Sequence, residues 1–363
     1  MDGWLLRQSD LDALGLIGCQ LDIPPGCFSQ LPPGLDVPPN FADPNTLAVF
    51  IPFGFEGWGS YLFPPLAPRP DLDAQLDEDQ FTYTGKLSWF PGGGATLLYL
   101  SYATGFKSGG TNVDRISPAF DPVFGAETSE SIEIGMKGEW GPVQVKAAIY
   151  DVTYDDFQAN TFTGTGFYLQ NAGDLDVSGV ELEWQWTPTD NLLISGYYAH
   201  NQGEYKSFLQ GVCWDATPFH TGVDDPGRQP PPPGADPNEQ PCDRSGGDLP
   251  YNPEDRYNVS LTQNFPMGTN NMFFRAEHTW TSEQFTDGDS DPLTRQDSFG
   301  ILNLRLGVDI DDWNSTITLW GRNVLDERYY TGSFAPPLLD FGRMNSYPSE
   351  PATWGVTFRK NWD

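Results

Sequence analysis

The sequence has few basic residues and no long apolar run. It contains 19 Lys and Arg against 50 Asp and Glu, which gives a formal net charge of -31 at pH 7. Phosphate binding needs clustered cations, so this balance argues against nucleic acid as a partner and against adsorption to an anionic leaflet. No apolar run approaches the roughly 20 residues that a membrane-spanning helix needs. Membrane-spanning strands remain compatible, because each needs only about 9–11 alternating residues.

Side chains in catalytic arrangements are also scarce. The 3 histidines, His200, His220 and His278, lie far apart in the sequence and beside no obvious nucleophile. Residues 287–291 begin like a calcium-binding loop, but Ser298 stands where the bidentate Glu is needed, which favours an ordinary acidic loop. The sequence therefore predicts no enzyme, no cofactor and no metal site.

Cysteine is rare, and its spacing is informative. The 4 cysteines form two local pairs, Cys19 with Cys27 and Cys213 with Cys242, each within one irregular, Pro-rich segment. The spacings fit no common zinc pattern. Several pairings are open in principle. The local pairing is the natural one, and it predicts two disulfides and an oxidising compartment.

Strict alternation of apolar and polar residues recurs along the chain, whereas helical spacing does not. One example is Ile132, Ile134 and Met136 alternating with charged residues such as Glu133 and Lys137. The pattern predicts an all-β, antiparallel fold. The predicted strands lie near 81–90, 95–106, 128–139, 142–157, 171–187, 191–204, 255–265, 271–282, 298–308, 315–331 and 352–361.

Short and long connections alternate between these strands, which would place the short ones at one end of the sheet and the long ones at the other. This asymmetry is typical of outer-membrane barrels. The segment 205–254 contains the run 230–233 of four prolines and is far longer than compact soluble domains usually tolerate. A soluble β-sandwich also alternates apolar and polar residues, but nothing sorts its loops by length.

Charged residues lie opposite the apolar row of several strands, namely Glu133, Glu139, Glu181, Glu183, Arg275, Glu277 and Arg305. An unpaired buried charge is costly, so these residues suit a wet or protein-filled lumen while the apolar row faces lipid. Tryptophans cluster near strand ends, as in the aromatic girdles of membrane barrels: Trp140, Trp184, Trp186, Trp280, Trp320 and Trp354.

Five segments, in order along the chain, resemble motifs of the TonB-dependent outer-membrane receptors. They are LYLSYATGFKSGG (98–110), ETSESIEIGMK (127–137), NAGDLDVSGVELE (171–183), LWGRNVLDERY (319–329) and PATWGVTFR (351–359). The resemblance covers most of the chain outside residues 1–80. It implies an antiparallel transmembrane β-barrel with short periplasmic turns and long extracellular loops, located in the cell outer membrane.

The resemblance also sets expectations for domain organisation. Family barrels have 22 strands and an N-terminal plug, so residues 81–363 correspond to about half of a barrel, its C-terminal strands. Residues 1–80 would form a long extracellular loop with a partial strand at its start. Neither a signal peptide nor a plug is visible, and Asp363 stands where the family usually ends on an aromatic residue. We therefore expect a fragment of a larger receptor.

The implied function is active import of a scarce nutrient. The resemblance implies a ferric siderophore or similar ligand as cargo, TonB as the energising partner acting through the missing N-terminal region, and contact with outer-membrane lipid. Candidate ligand-binding residues at or near long loops are Trp214, His220, Tyr205, Phe106 and Tyr168. Two alternatives remain open, a passive porin-like channel and a soluble glycan-binding β-sandwich.

Overall fold

The computed structural model describes residues 76–112, 122–162, 167–214, 225–230, 241–334 and 344–362. By contacts the chain divides into two compact units. One comprises Met1–Gln75, Thr111–Pro122 and Phe162–Tyr168, and the other comprises the rest and nearly all described residues. No helix within the described ranges is long and apolar enough to cross a membrane.

An 11-stranded antiparallel sheet, called here the main sheet, dominates the second unit. Its strands in spatial order are β1 (Thr84–Trp89), β2 (Thr96–Lys107), β5 (Glu127–Trp140), β6 (Val143–Asp155), β9 (Leu175–Thr189), β10 (Leu192–Tyr205), β11 (Asp255–Met267), β12 (Asn270–Thr281), β15 (Phe299–Ile310), β16 (Ser315–Arg322) and β19 (Thr353–Lys360). Each strand pairs with the next one along the order, and β1 and β19 form the two edges. The sheet is therefore an open meander.

Short strand pairs extend the long connections. They are β3 (Gly110–Thr111) with β4 (Val123–Phe124), β7 (Gln158–Phe162) with β8 (Phe167–Asn171), β13 (Gln284–Phe285) with β14 (Arg295–Gln296), and β17 (Tyr330–Phe334) with β18 (Asn345–Pro348). Along the sequence, each pair lies between two consecutive strands of the main sheet. Short and long connections alternate strictly, as the sequence predicts.

All eleven predicted strands are present, but two predicted boundaries are wrong. The strand predicted from residue 171 begins only at Leu175, because Asn171 belongs to β8. The sequence predicts a strand over 315–331, whereas β16 ends at Arg322. Asn323 takes a left-handed backbone conformation with φ 47°, which a β-strand cannot contain. The chain turns there and becomes extended again only at β17.

The apolar face of the main sheet is continuous from strand to strand. Leu100, Ile134, Ile149 and Val180 are consecutive register partners across β2, β5, β6 and β9. A second row crosses β11 to β19 through Phe265, Met272, Val308, Ile317 and Phe358.

No second sheet covers this face within the described residues. Ile134 is 61% exposed and Phe358 is 62% exposed. The soluble sandwich is therefore wrong, because it would bury these rows in a core. Exposed apolar area on this scale requires a hydrophobic partner, and lipid fits it.

The opposite face of the main sheet is polar. By strand alternation, all seven charged residues predicted for the lumen lie on this face, which we call the polar face. Ion pairs and hydrogen bonds cross it: Lys146 Nζ lies 2.7 Å from Glu183 Oε2, and Tyr150 Oη donates to Asn201 Oδ1 at 3.1 Å. The two faces therefore differ in chemistry as a barrel wall requires.

The tryptophans only partly follow the predicted girdle. Trp140 and Trp186 lie on the apolar face near short turns, and Trp280 lies near the long connections, stacked on Tyr257 at 5.7 Å. Trp320 is an exception, because it is the register partner of Arg305 on the polar face. Its Nε1 donates to Thr357 Oγ1 at 3.0 Å.

Aromatic rings cover glycines in the neighbouring strand at several points of the sheet. A Cβ on Gly307 would lie 2.2 Å from Phe273, and one on Gly135 would lie 2.4 Å from Tyr99. These glycines leave room for a ring to lie flat across the strand. This arrangement fixes register and covers backbone.

Candidate functional site

The long connections leave one end of the main sheet, which we call the rim: residues 107–127, 155–175, 205–255, 281–299 and 322–353. Side chains at the rim decide how these loops are held. The motifs that resemble the receptor family lie largely here. Their local contacts show what each motif does.

A small apolar core lies at the rim on the polar-face side. Its buried members are Ala159, Ala172, Leu175, Tyr205 and Phe208. Tyr205 and Phe208 have ring centroids 5.1 Å apart, and Phe157 lies 6.4 Å from Tyr205. The core joins β9 and β10 to the β7–β8 extension and to the start of the loop after β10. It fixes the base of that long loop.

A group of contacts around a disulfide, called here the disulfide cluster, fixes the middle of the same loop. The predicted Cys213–Cys242 bridge is present, with Cα atoms 5.1 Å apart. Beside it, Arg244 Nη2 lies 2.8 Å from Asp225 Oδ2, and the Asp225 side chain is fully buried. The Arg244 guanidinium also stacks on Trp214 at 4.7 Å. Cys19 and Cys27 lie outside the described residues.

Asn171 and Glu127 fasten two neighbouring connections together. Asn171 Oδ1 accepts from the Gly125 backbone N–H at 2.7 Å, and its Nδ2 donates to the carbonyl of Asp156 at 2.7 Å. Glu127 Oε2 accepts from the backbone N–H of Gln158 at 2.8 Å. Two family-like motifs, at 127–137 and 171–183, therefore begin with residues that bind the rim loops to each other.

Asn323 fastens the last rim connection. Its Nδ2 donates to the carbonyls of Glu327 at 2.8 Å and Glu350 at 3.1 Å, while its Oδ1 accepts from the Glu327 N–H at 2.9 Å. Its own N–H donates to Asn303 Oδ1 at 3.0 Å. Asp326 accepts from the Ala352 N–H at 2.9 Å, and this hydrogen bond holds the pKa of Asp326 below its ordinary value.

The acidic loop 287–291 is partly buried. Burial and the neighbouring Asp287 raise the pKa of Asp289 to about 7, and burial also raises the pKa of Asp287 to about 6. Their oxygens accept backbone hydrogen bonds, including Asp291 N–H to Asp289 Oδ1 at 3.0 Å. These groups therefore titrate near neutral pH.

A cavity of about 470 Å³ lies between the rim loops after β10 and β12. Asp248, Glu254, Asp255 and Glu283 contribute carboxylates to its lining, and Arg295, its one basic residue, is ion-paired with Glu283. Trp280 contributes an aromatic wall. The lining is suited to a neutral or cationic group.

The described residues contain one His, Cys, Asp or Glu cluster close enough to surround an ion, namely Cys213, Asp225 and Cys242. Both cysteines are joined in the disulfide, and Asp225 is paired with Arg244. These three residues therefore belong to the disulfide cluster, and their metal-ligating atoms are already bonded or ion-paired.

The predicted ligand-binding residues whose side chains the structure describes do not share one surface. Phe106 lies on the apolar face of β2, and Tyr205 is only 7% exposed within the rim core. Trp214 is half-buried under Arg244. The backbone of Tyr168 lies in β8, but its side chain and all of His220 fall outside the described part of the chain.

Reasoning from the sequence misses the residues that hold the rim. Asn171, Glu127 and Asn323 stand inside the motifs quoted above, but a polar residue in a motif does not reveal its partners. Arg244 and Asp225 lie in the long loop with no pattern around them. In the sequence, only the nearby cysteine pair indicates that this part of the loop has a fixed structure.

An open antiparallel meander with an exposed apolar face, a charged opposite face and loops sorted by length defines an outer-membrane β-barrel wall. Residues 63–324 match the family "TonB dependent receptor-like, beta-barrel", and the chain belongs to this family. Family members are outer-membrane proteins, and so is this chain.

Several solved structures share this fold. The ferric yersiniabactin uptake receptor FyuA from Yersinia pestis aligns with a TM-score of 0.59 and 19% identity, covering 77% of this chain and 37% of that one. The siderophore receptor PiuA from Acinetobacter baumannii aligns with a TM-score of 0.55 and 17% identity, covering 76% and 35%. The copper transporter OprC aligns with a TM-score of 0.54 and 13% identity, covering 76% and 38%.

The chain thus spans little more than a third of the length of these structures. At these identities the likeness shows the fold alone. No curated protein matches the sequence.

Proposed function

We propose that this chain forms part of the wall and several ligand-facing loops of a receptor that actively imports a scarce nutrient, a ferric siderophore, with energy supplied through TonB. The observation that carries the proposal is the two-faced main sheet. Its apolar rows suit lipid and its charged rows suit an interior path. No covalent chemistry is part of this role.

Family membership supports ligand import in general. One of the similar structures is named as a ferric yersiniabactin uptake receptor, one as a siderophore receptor and one as a copper transporter. The siderophore as cargo is favoured by the first two names. It remains our proposal for this chain, as does the contribution of TonB.

The fixed structure of the rim loops supports a receptor role. A long loop that is stapled by a disulfide, an ion pair and an apolar core presents fixed surfaces to the outside, and preorganised loops bind ligands at lower entropic cost. We place ligand contacts on this rim. Trp214, His220 and Tyr168 are the sequence-based candidates compatible with this placement, whereas Tyr205 is buried in the rim core and Phe106 lies on the apolar face. The extracellular position of residues 1–80 stays a prediction.

Uptake measurements test the proposal. Cells carrying the intact protein are supplied with radioactive ferric siderophores, with TonB present or deleted, and accumulation of iron is measured. We expect uptake that requires both the protein and TonB, and transcript induction under iron limitation.

Equal uptake without TonB, together with ion conductance of the purified protein in planar bilayers, would instead establish the passive channel. Expression that ignores iron, with no siderophore taken up, would remove the siderophore from the proposal.

A further inference from the structure

Three arginines lie on the polar face of the neighbouring strands β12, β15 and β16. Arg275 of β12 and Arg305 of β15 are direct register partners, and Arg305 is in turn the partner of Trp320 in β16. Arg322 lies two residues beyond Trp320 on the same face, with its guanidinium 5.1 Å from the Trp320 ring. We call Arg275, Arg305 and Arg322 the arginine patch.

Like charges directly opposite each other destabilise a sheet, because opposed residues have Cα atoms only about 4.5–5.5 Å apart. Glu277 neutralises part of the patch, with Arg275 Nη2 2.7 Å from Glu277 Oε2. Among the described residues, no carboxylate forms an ion pair with Arg305. The patch therefore has an excess of positive charge.

One donor of the patch is buried and unused. Arg275 Nε is covered and has no hydrogen-bond partner within the described part of the chain, while the Arg275 side chain as a whole is 41% exposed and open to a ligand. A buried donor left without an acceptor is costly, and a guanidinium presents its donors in a fork that matches a carboxylate.

The patch contrasts with the rest of the polar face and of the chain. On β5 and β9 the same face carries Glu133, Glu139, Glu181 and Glu183, and the whole sequence has 50 acidic against 19 basic residues. Because the rest of the polar face is acidic, the local excess of arginine makes this position the one that attracts anions. Arg275 and Arg305 also lie near the middle of their 12-residue strands, five or six residues from the rim loops.

We propose that Arg275 and Arg305 of the arginine patch form a carboxylate-binding site on the inner wall, distinct from the ligand contacts at the rim, and that Arg322, at the rim end of the patch, adds to its positive charge. The carboxylate engages Arg305 and Arg275, and it competes with Glu277 for the Arg275 guanidinium. Only the idea that the site lies along a transport path rests on the proposed function; the anion site itself follows from the patch.

Citrate binding to the purified intact protein in detergent, measured by calorimetry at constant ionic strength, tests the site. We expect saturable binding that Arg305→Gln weakens by about tenfold or more, as expected for loss of a charge-assisted pair. Glu277→Gln should tighten binding, because it removes the competing carboxylate. The matched control is Arg359→Gln, which changes an arginine on the same face of β19 and should leave binding unchanged.

A second measurement distinguishes a free carboxylate from one supplied by the protein itself. If an acidic side chain of the intact protein occupies the patch, citrate will not bind, and Arg305→Gln will lower the thermal unfolding temperature while Arg359→Gln will not. No citrate binding together with equal unfolding temperatures for these two variants overturns the proposal. Neither readout needs iron or TonB, so failure here and failure of the uptake proposal are separable.

Discussion

Asn323 shows how one residue can shape a loop. Its left-handed backbone ends β16, and its side chain makes three hydrogen bonds to the backbone of Glu327 and Glu350. Asparagine tolerates this conformation better than other non-glycine residues, because its short polar side chain bonds locally. Asn323 itself is 6% exposed, so water has little access to replace the hydrogen bonds that its side chain makes.

Asn323→Ala should therefore lower the free energy of unfolding by about 2–4 kcal/mol. Urea unfolding in lipid vesicles measures the change. Asn345→Ala is the control, because Asn345 is exposed in β18 and its replacement should change stability by less than about 0.5 kcal/mol. Equal effects of the two substitutions would contradict the role assigned to Asn323.

Asp289 is the residue through which pH should act on the rim. Its pKa is raised from 3.8 to about 7. Between these values the folded loop binds more protons than the unfolded loop, so loop stability falls as the pH rises through the window. Acidification from pH 8 to 5.5 should therefore increase protection of the amides in 286–296 against hydrogen exchange, after correction for intrinsic rates.

Asp289→Asn should raise that protection at pH 8 and flatten the pH dependence, because the amide is neutral and can still accept from Asp291. Asp243→Asn is the matched control. Hydrogen bonds from Ser245 lower the pKa of Asp243, so its replacement should bring no gain at pH 8. A wild-type loop equally protected at both pH values would show that Asp289 does not titrate in this range.

Glycine–aromatic contacts act between neighbouring strands. Phe273 lies across Gly307 so closely that a Cβ would reach within 2.2 Å of its ring. Gly307→Ala should cost about 1–3 kcal/mol through overpacking. In a Phe273→Ala background the same substitution should cost less than about 0.5 kcal/mol, since the obstructing ring is gone.

Gly85→Ala in β1 is the control for this cycle, because nothing lies within 4 Å of the added Cβ. Unfolding free energies of the four proteins of the cycle provide the test. Additive costs for Gly307→Ala and Phe273→Ala would mean that ring and glycine do not form a unit.

The strands themselves could be predicted from sequence because alternation is a property of each segment alone. The boundary at Arg322 could not, since it depends on hydrogen bonds of Asn323 that include the distant residues Asn303 and Glu350. The two-residue strands β3, β4, β13 and β14 are too short to show any alternation. Which face Trp320 occupies follows from register with Arg305, and register is set by the neighbouring strand.

The candidate site was less accessible to prediction than the strands. An aromatic residue near a loop can face a ligand, a loop core or lipid, and the sequence does not distinguish these environments. In the structure, Tyr205 lies in the rim core and Phe106 lies on the apolar face. The cysteine pair was predictable, because two cysteines in one irregular segment have few other roles in an oxidising compartment.

At the scale of the whole molecule, the main sheet keeps apolar side chains on one face and charged side chains on the other. The apolar rows cross β2 to β9 and β11 to β19 without a covering layer among the described residues, and the charged rows run along the opposite face. In water such a sheet would expose a large apolar surface. In an outer membrane the same surface is satisfied by acyl chains, and the charges line the interior.

Spin labels placed in the intact protein in lipid vesicles test this separation most directly, through collision rates with oxygen and with a water-soluble nickel complex. We expect labels at Ile134 and Val356 to collide often with oxygen and rarely with nickel. Labels at their chain neighbours Glu133 and Thr357 should show the reverse. Low oxygen accessibility at Ile134 and Val356, as for side chains packed in a protein core, would contradict the membrane wall.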